Sequence, residues 1–170
     1  IKDAPKDGLS IGMAVTSTFT YSPLISDKTG YGVGDFDYII TTAPTQIGLV
    51  ARSDSGWKTI DDMVAAAKGG NKLKLAVMSP PLGDAAYLIG QKYGVKFAQV
   101  KAQGGRGVLN GLMAKDVDLG FIAGIHAKAV KSGDLINLAS AENDRLTMSP
   151  DVPTLRELGI PYQFGLTFVV

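Results

Sequence analysis

The feature that most limits how this chain can fold is an alternation of strand-like and helix-like segments between residues 73 and 139. Leu73, Leu75 and Val77 recur at every second position, as on one face of a strand. Residues 84–93 then read as a helix stopped by Gly94, and residues 95–100 as a strand. Residues 107–114 carry Val108, Leu109, Leu112 and Met113 at helical spacing. Residues 117–122 form the next strand, residues 126–131 a short helix ending near Gly133, and residues 135–139 a further strand. Strands separated by helices predict a mostly parallel sheet covered on both faces. Before this run, Thr59 and Asp62 form a capping-box-like helix start, followed by an apolar stripe of Ile60, Met63, Val64 and Ala67 and a Gly69-Gly70 stop. Thr154 and Glu157 make a second box before a short helix closed by Gly159. Residues 9–15, 36–40 and 46–50 read as strands, as do residues 164–170, whose abrupt stop reads as truncation.

Composition narrows the function. Of 170 residues, 45% are hydrophobic and 19% charged, which suits a packed globular protein and not a disordered one. A formal net charge of +1, with lysines scattered, offers no field for nucleic acid. The absence of cysteine excludes disulfides and thiol nucleophiles. No apolar run is long enough to span a membrane, and no export signal is visible.

In open α/β sheets ligands settle at the carboxyl ends of the strands, and helix starts there present unpaired N–H donors to anions. Four segments fit that description. The loop holding Ser79, Pro81, Gly83 and Asp84 joins a strand to a helix; its backbone donors suit an anion, while Asp84 either caps the helix or holds an amine. Tyr87 lies within reach of the same loop. Gln103, Gly104 and Gly105 precede the next helix, where glycine lets backbone approach a ligand and Arg106 either pairs with a carboxylate or is solvated. Thr16, Ser17 and Thr18 end the first strand with hydroxyls. Ile122 and Ala123 end the strand after Asp118. Ordinary loop packing is the competing account of each. His126 is the single histidine, so no imidazole cluster exists for zinc, and no Gly-x-Ser-x-Gly elbow presents a nucleophile. We therefore expect no catalytic residues, metal or cofactor.

Several segments resemble the periplasmic substrate-binding proteins of tripartite tricarboxylate transporters, the TctC or Bug family. Pro5-Lys6-Asp7-Gly8-Leu9-Ser10 is similar to the family's Pro-Asp-Gly-Tyr-Thr segment. Asp116-Val117-Asp118-Leu119-Gly120-Phe121 resembles its Gly-x-Val-Asp-Leu-x-Phe run. Ser149-Pro150-Asp151-Val152-Pro153-Thr154-Leu155-Arg156-Glu157-Leu158-Gly159 resembles its Leu-Pro-Asp-Val-Pro-Thr-x-x-Glu-x-Gly signature.

The resemblance implies an α/β, periplasmic-binding-protein-like type II clamshell, with two lobes that each hold a mostly parallel sheet flanked by helices. Residues 1–50 and 139–170 would form parts of an incomplete first lobe, and residues 51–138 the second. It implies a monomeric periplasmic receptor that closes around a small carboxylate and delivers it to the membrane subunits of such a transporter, without nucleic acid as a partner. Where the family has glycine, serine and histidine around the Ser79 loop, this chain has Pro81, Asp84 and Tyr87. Where it has tyrosine and lysine before the paired glycines, this chain has Ala102 and Gln103, and Ile122 replaces an aspartate. These changes point to a bulkier, more apolar or amino-bearing acid. A sensor for a signalling partner and an enzyme on a similar frame are the competing readings.

Overall fold

The structure is a computed structural model describing residues 1–70 and 72–170. The chain divides into two compact units, one of Ile1–Thr45 with Gly165–Val170 and one of Gln46–Phe164.

The smaller unit holds β1 (Ala14–Val15), one-turn helices α1 (Ser17–Thr20) and α2 (Ser22–Ile25), β2 (Thr41–Pro44) and, in chain order, the last strand β8 (Thr167–Val169). β8 lies between β1 and β2 and is antiparallel to both. This differs from the mostly parallel sheet expected of each lobe, because an apolar run specifies a strand but not its direction. Residues 9–13 and 36–40 also lie outside any strand. Ile39 and Ile40 instead donate their N–H groups to the Val170 carbonyl at 2.7 and 3.3 Å. An aromatic cluster packs edge to face, with ring centres 4.9 Å apart for Phe19 and Phe36 and 5.3 Å apart for Phe19 and Tyr38.

The larger unit contains β3 (Gly48–Arg52), α3 (Ile60–Lys68), β4 (Lys74–Val77), α4 (Pro80–Tyr93), β5 (Ala98–Lys101), α5 (Gly104–Met113), β6 (Leu119–Ile122), α6 (Ala127–Ser132) and β7 (Leu135–Ser140). Its sheet has the order β5-β4-β6-β3-β7. β4 is parallel to β5 and β6, as the alternation predicts, while β3 is antiparallel to β6 and β7. Both faces are covered. Leu49, Leu75, Leu119 and Phe121 pack with Ile60 and Met63 of α3 and with Leu82 and Ile89 of α4. Val50, Ala76 and Ile122 point the other way and pack with Val108 and Leu112 of α5. Burying a side chain of this size stabilises by about 1.5–3 kcal/mol, so the two-faced core is what holds the strand ends in place.

The unit boundaries lie at residues 45/46 and 164/165, where the sequence placed lobe boundaries at 50/51 and 138/139. The reason is pairing. β3 is an inner strand of the larger sheet, and the segment after β7 stays with it: Leu155 N–H donates to the Ser140 carbonyl at 2.8 Å, and Leu155 and Ile160 are fully buried.

Two helix starts also move. α4 begins at Pro80 and not at Asp84, with Ser79 as N-cap, because proline suits the first helical positions. α5 begins at Gly104, three residues before the expected start. The Thr59–Asp62 box forms as read, with Asp62 N–H donating to Thr59 Oγ1 at 3.2 Å and Thr59 N–H to Asp62 Oδ2 at 2.9 Å. The Thr154–Glu157 box forms too, but residues 155–159 make turns and not a helix.

Candidate ligand-binding site

Three loops leave the larger sheet along one edge. β4, β5 and β6 run the same way, with Val77 beside Lys101 and Ala76 beside Gly120. Ala102 N–H donates to the Val77 carbonyl at 2.9 Å, so the strands end level. Residues 78–79, 102–103 and 123 therefore emerge together. β3 runs against them, and its first residue, Gly48, pairs with both Ile122 and Ser140.

The start of α4 does not carry the anion donors expected of it. Pro80 and Pro81 have no N–H, and the N–H groups of Leu82 and Gly83 both donate to the Ser79 carbonyl, at 3.2 and 3.3 Å. The same arrangement frees the Ser79 hydroxyl. An N-cap hydroxyl ordinarily accepts from the second or third helical N–H. Here the second is proline and the third is turned to the carbonyl. Ser79 Oγ is shielded from solvent and has no hydrogen-bond partner among the described residues.

The donors lie one loop away, at α5. Gln103 is its N-cap and makes no side-chain capping bond. Gly107 N–H donates to the Gln103 carbonyl at 3.3 Å, and no hydrogen bond among the described residues engages the N–H groups of Gly104, Gly105 or Arg106. Gly104 has φ +63°, the left-handed conformation that favours glycine. Arg106 is exposed, and its guanidinium has no ion-pair or hydrogen-bond partner among the described residues. A groove of about 430 Å³ starts at Ala102 and Gln103 and runs along α5 past Asn110 to Asp116.

At the third loop, Ile122 is fully buried against the second face of the core, so its side chain is packing and not ligand surface. Ala123 is half-buried at the loop itself. The exposed apolar side chain is Ile125, 52% accessible, which the sequence reading missed. A Cβ at Gly105 would lie 3.4 Å from Ile125 Cδ1 and 3.6 Å from Ile122 Cγ1, so the turn after β6 abuts the start of α5. Its available signal was an isoleucine after glycine at a strand's carboxyl end.

Beneath that turn His126 is completely buried. Its Nδ1 lies 3.1 Å from the Ala123 carbonyl and its Nε2 3.0 Å from Asn137 Oδ1, and Asn137 Nδ2 donates to Ser149 Oγ at 2.9 Å. Burial pushes its pKa below the ordinary value, against the opposing pull of these two hydrogen bonds. His126 anchors the turn.

The remaining expected residues are placed elsewhere. Asp84 stands within the second turn of α4, so it does not cap the helix. Asp84 and Tyr87, 62% accessible, share the exposed face of α4. Gly83 faces β5, where Gln99 Nε2 donates to its carbonyl at 3.1 Å. The Pro81 carbonyl accepts from the Tyr162 hydroxyl at 2.8 Å. Thr16, Ser17 and Thr18 belong to the smaller unit, where the Thr16 carbonyl accepts from Phe19 N–H at 3.0 Å and the Thr18 carbonyl from the Tyr31 hydroxyl at 3.1 Å. The edge of the larger sheet thus gathers Ser79, Gln103, Gly104, Gly105 and Ala123. Among the described residues no group of His, Asp or Glu side chains is arranged to hold a metal ion, and no helix is long and apolar enough to cross a membrane.

Comparison with known proteins gives a consistent picture. The tripartite tricarboxylate transporter family receptor description, TctC, matches residues 1–168. A UPF0065 protein of Bordetella pertussis is 29% identical over 166 residues, covering 94% of this chain and 50% of its own length. The solved periplasmic binding protein BugD superposes with a TM-score of 0.81 at 24% identity, covering 99% of this chain and 58% of its own. An R. palustris protein solved with adipate superposes with a TM-score of 0.77 at 20% identity, covering 99% and 58%. The chain spans half or less of the length of the curated relatives it matches. The fold class expected from the sequence, an α/β type II periplasmic-binding-protein-like fold, is the fold of these structures.

Proposed function

Because this chain belongs to the TctC family of tripartite tricarboxylate transporter receptors, periplasmic solute-binding proteins and not enzymes, we propose that it captures a small carboxylate at the edge of the larger sheet and delivers it, as a monomer, to the membrane subunits of a transporter. The observation that carries this reading is the trio of unengaged N–H groups of Gly104, Gly105 and Arg106 at the start of α5.

Chemically, a helix start offers an anion aligned N–H donors and the positive end of the helix dipole. A carboxylate oxygen accepts from two such donors. Glycine at 104 and 105 lets the solute reach the backbone without meeting a side chain. Arg106, exposed and without an ion-pair partner, supplies a charge for a second carboxylate. The adipate held by the R. palustris protein supports a dicarboxylate. Capture is coupled to delivery if the bound solute favours the conformation that the membrane subunits recognise. No step of this process makes or breaks a covalent bond.

Titration calorimetry of the receptor with succinate, glutarate, adipate, glutamate and acetate tests the reading. Saturable one-to-one binding of dicarboxylates, with every acid recovered unchanged, is the expected outcome. No heat from any of these acids would contradict carboxylate capture, and turnover of a bound acid would favour the enzyme reading.

A further inference from the structure

We propose that Ile125 is the residue by which this site selects its solute, favouring a dicarboxylate with a longer unsubstituted hydrocarbon linker over a short one. The inference rests on the carboxylate reading above and names the solute class within it.

Ile125 is 52% accessible although Phe121 and Ile122, just before it in the chain, are fully buried; Tyr87 of α4 and Met113 of α5 are also exposed, at 62% and 51%. Ile125 is not a frayed side chain on a mobile tip. It occupies the 3₁₀ turn Gly124–His126, and the next residue, His126, is fully buried and bonded to Ala123 and Asn137. The turn is pinned from below while Ile125 faces outward.

Its position supplies the rest. Ile125 Cδ1 and Cγ1 lie 3.4 and 3.6 Å from where a Cβ on Gly105 would stand. Gly105 carries the middle one of the three unengaged N–H groups. Ile125 therefore lies beside Gly105, whose N–H is one of the donors proposed for the carboxylate. A carboxylate seated there directs its first methylenes past the adjoining surface, and on the β6 side that surface is Ile125. Ile122, the expected apolar contact, is sealed in the core and cannot serve. Each methylene buried against such a surface tightens binding by about fourfold.

The test is a matrix of calorimetric titrations. The wild-type receptor and the I125A and I125L variants are each titrated with succinate, glutarate and adipate. Ile125 is exposed, so both variants keep the core intact. The expected result is a stepwise rise in wild-type affinity with chain length. In I125A adipate binding falls by about tenfold, succinate changes less than about twofold, and I125L restores the preference. Equal loss for all three acids, or no change for any, would overturn the role of Ile125 while leaving carboxylate capture standing. Failure of the wild-type protein to bind any of the three would remove both.

Discussion

The two compact units spend their apolar residues differently. In the larger, Leu49, Leu75, Leu119 and Phe121 have no exposure, because α3 and α4 cover one face of the sheet and α5 the other. In the smaller, Val169 is the one buried apolar residue among the described residues, while Leu9, Ile11, Leu24 and Ile39 are 86%, 69%, 84% and 68% accessible. The two regions are not distinguished by hydrophobicity alone. The larger has helices of 9, 14 and 10 residues between its strands, and the smaller has two of 4 residues. Helices long enough to lie across a sheet give it a covering layer on each face.

The sharpest way to break this comparison is to empty each core in turn. Phe121→Ala should destabilise the larger unit by about 3–5 kcal/mol, the range for a buried phenylalanine. Phe36→Leu keeps most of the apolar area and removes its edge-to-face contacts with Phe19 and Tyr31, at about 0.5–1.5 kcal/mol. Urea denaturation followed by circular dichroism reads both, and equal losses would refute the contrast. An effect of the same size as that of Phe36→Leu is expected from Thr59→Ala, which opens the capping box of α3 and should lower stability by about 1 kcal/mol. A loss within error in the same assay would mean that packing of Ile60 and Met63 alone fixes that helix start.

The smallest effect concerns acid. Glu157 is held at a pKa of about 2, below its ordinary 4.5, chiefly by hydrogen bonds from Arg145 and then by the Thr154 N–H. The folded state therefore binds this proton less readily than the unfolded one. Its stabilising contribution is complete above about pH 4.5 and is lost as pH falls toward about 2. Glu157→Gln should flatten stability against pH within that window, lowering stability above about pH 4.5 and changing little near pH 2. An unaltered acid limb would show that the Arg145–Glu157 pair is uncoupled from folding.

What the sequence revealed follows the range of each interaction. The Thr59–Asp62 box and the Gly94 stop are local, and both form as read. Strand direction is not local: nothing in the apolar run of β3 tells it to oppose β6 and β7, and nothing in β8 tells it to lie between β1 and β2. The α4 start was displaced because Asp84 looked like a cap, whereas Pro80 and Pro81 fit the first turn and remove its donors. Ser79, Gln103, Gly104 and Gly105 were legible as strand-to-helix loops. Ile122 and Ile125 were not separable by pattern, because a strand covered on both faces buries consecutive residues, as it does Phe121 and Ile122.

The central claim is that the N–H groups at the start of α5, and not those at the start of α4, hold the solute carboxylate. The most direct measurement is an amide nitrogen–proton correlation spectrum of the receptor during an adipate titration. The account predicts saturable shifts of the Gly104, Gly105 and Arg106 resonances, with Leu82 and Gly83 little changed. Saturable shifts at Leu82 and Gly83, with the α5 resonances still, would contradict it.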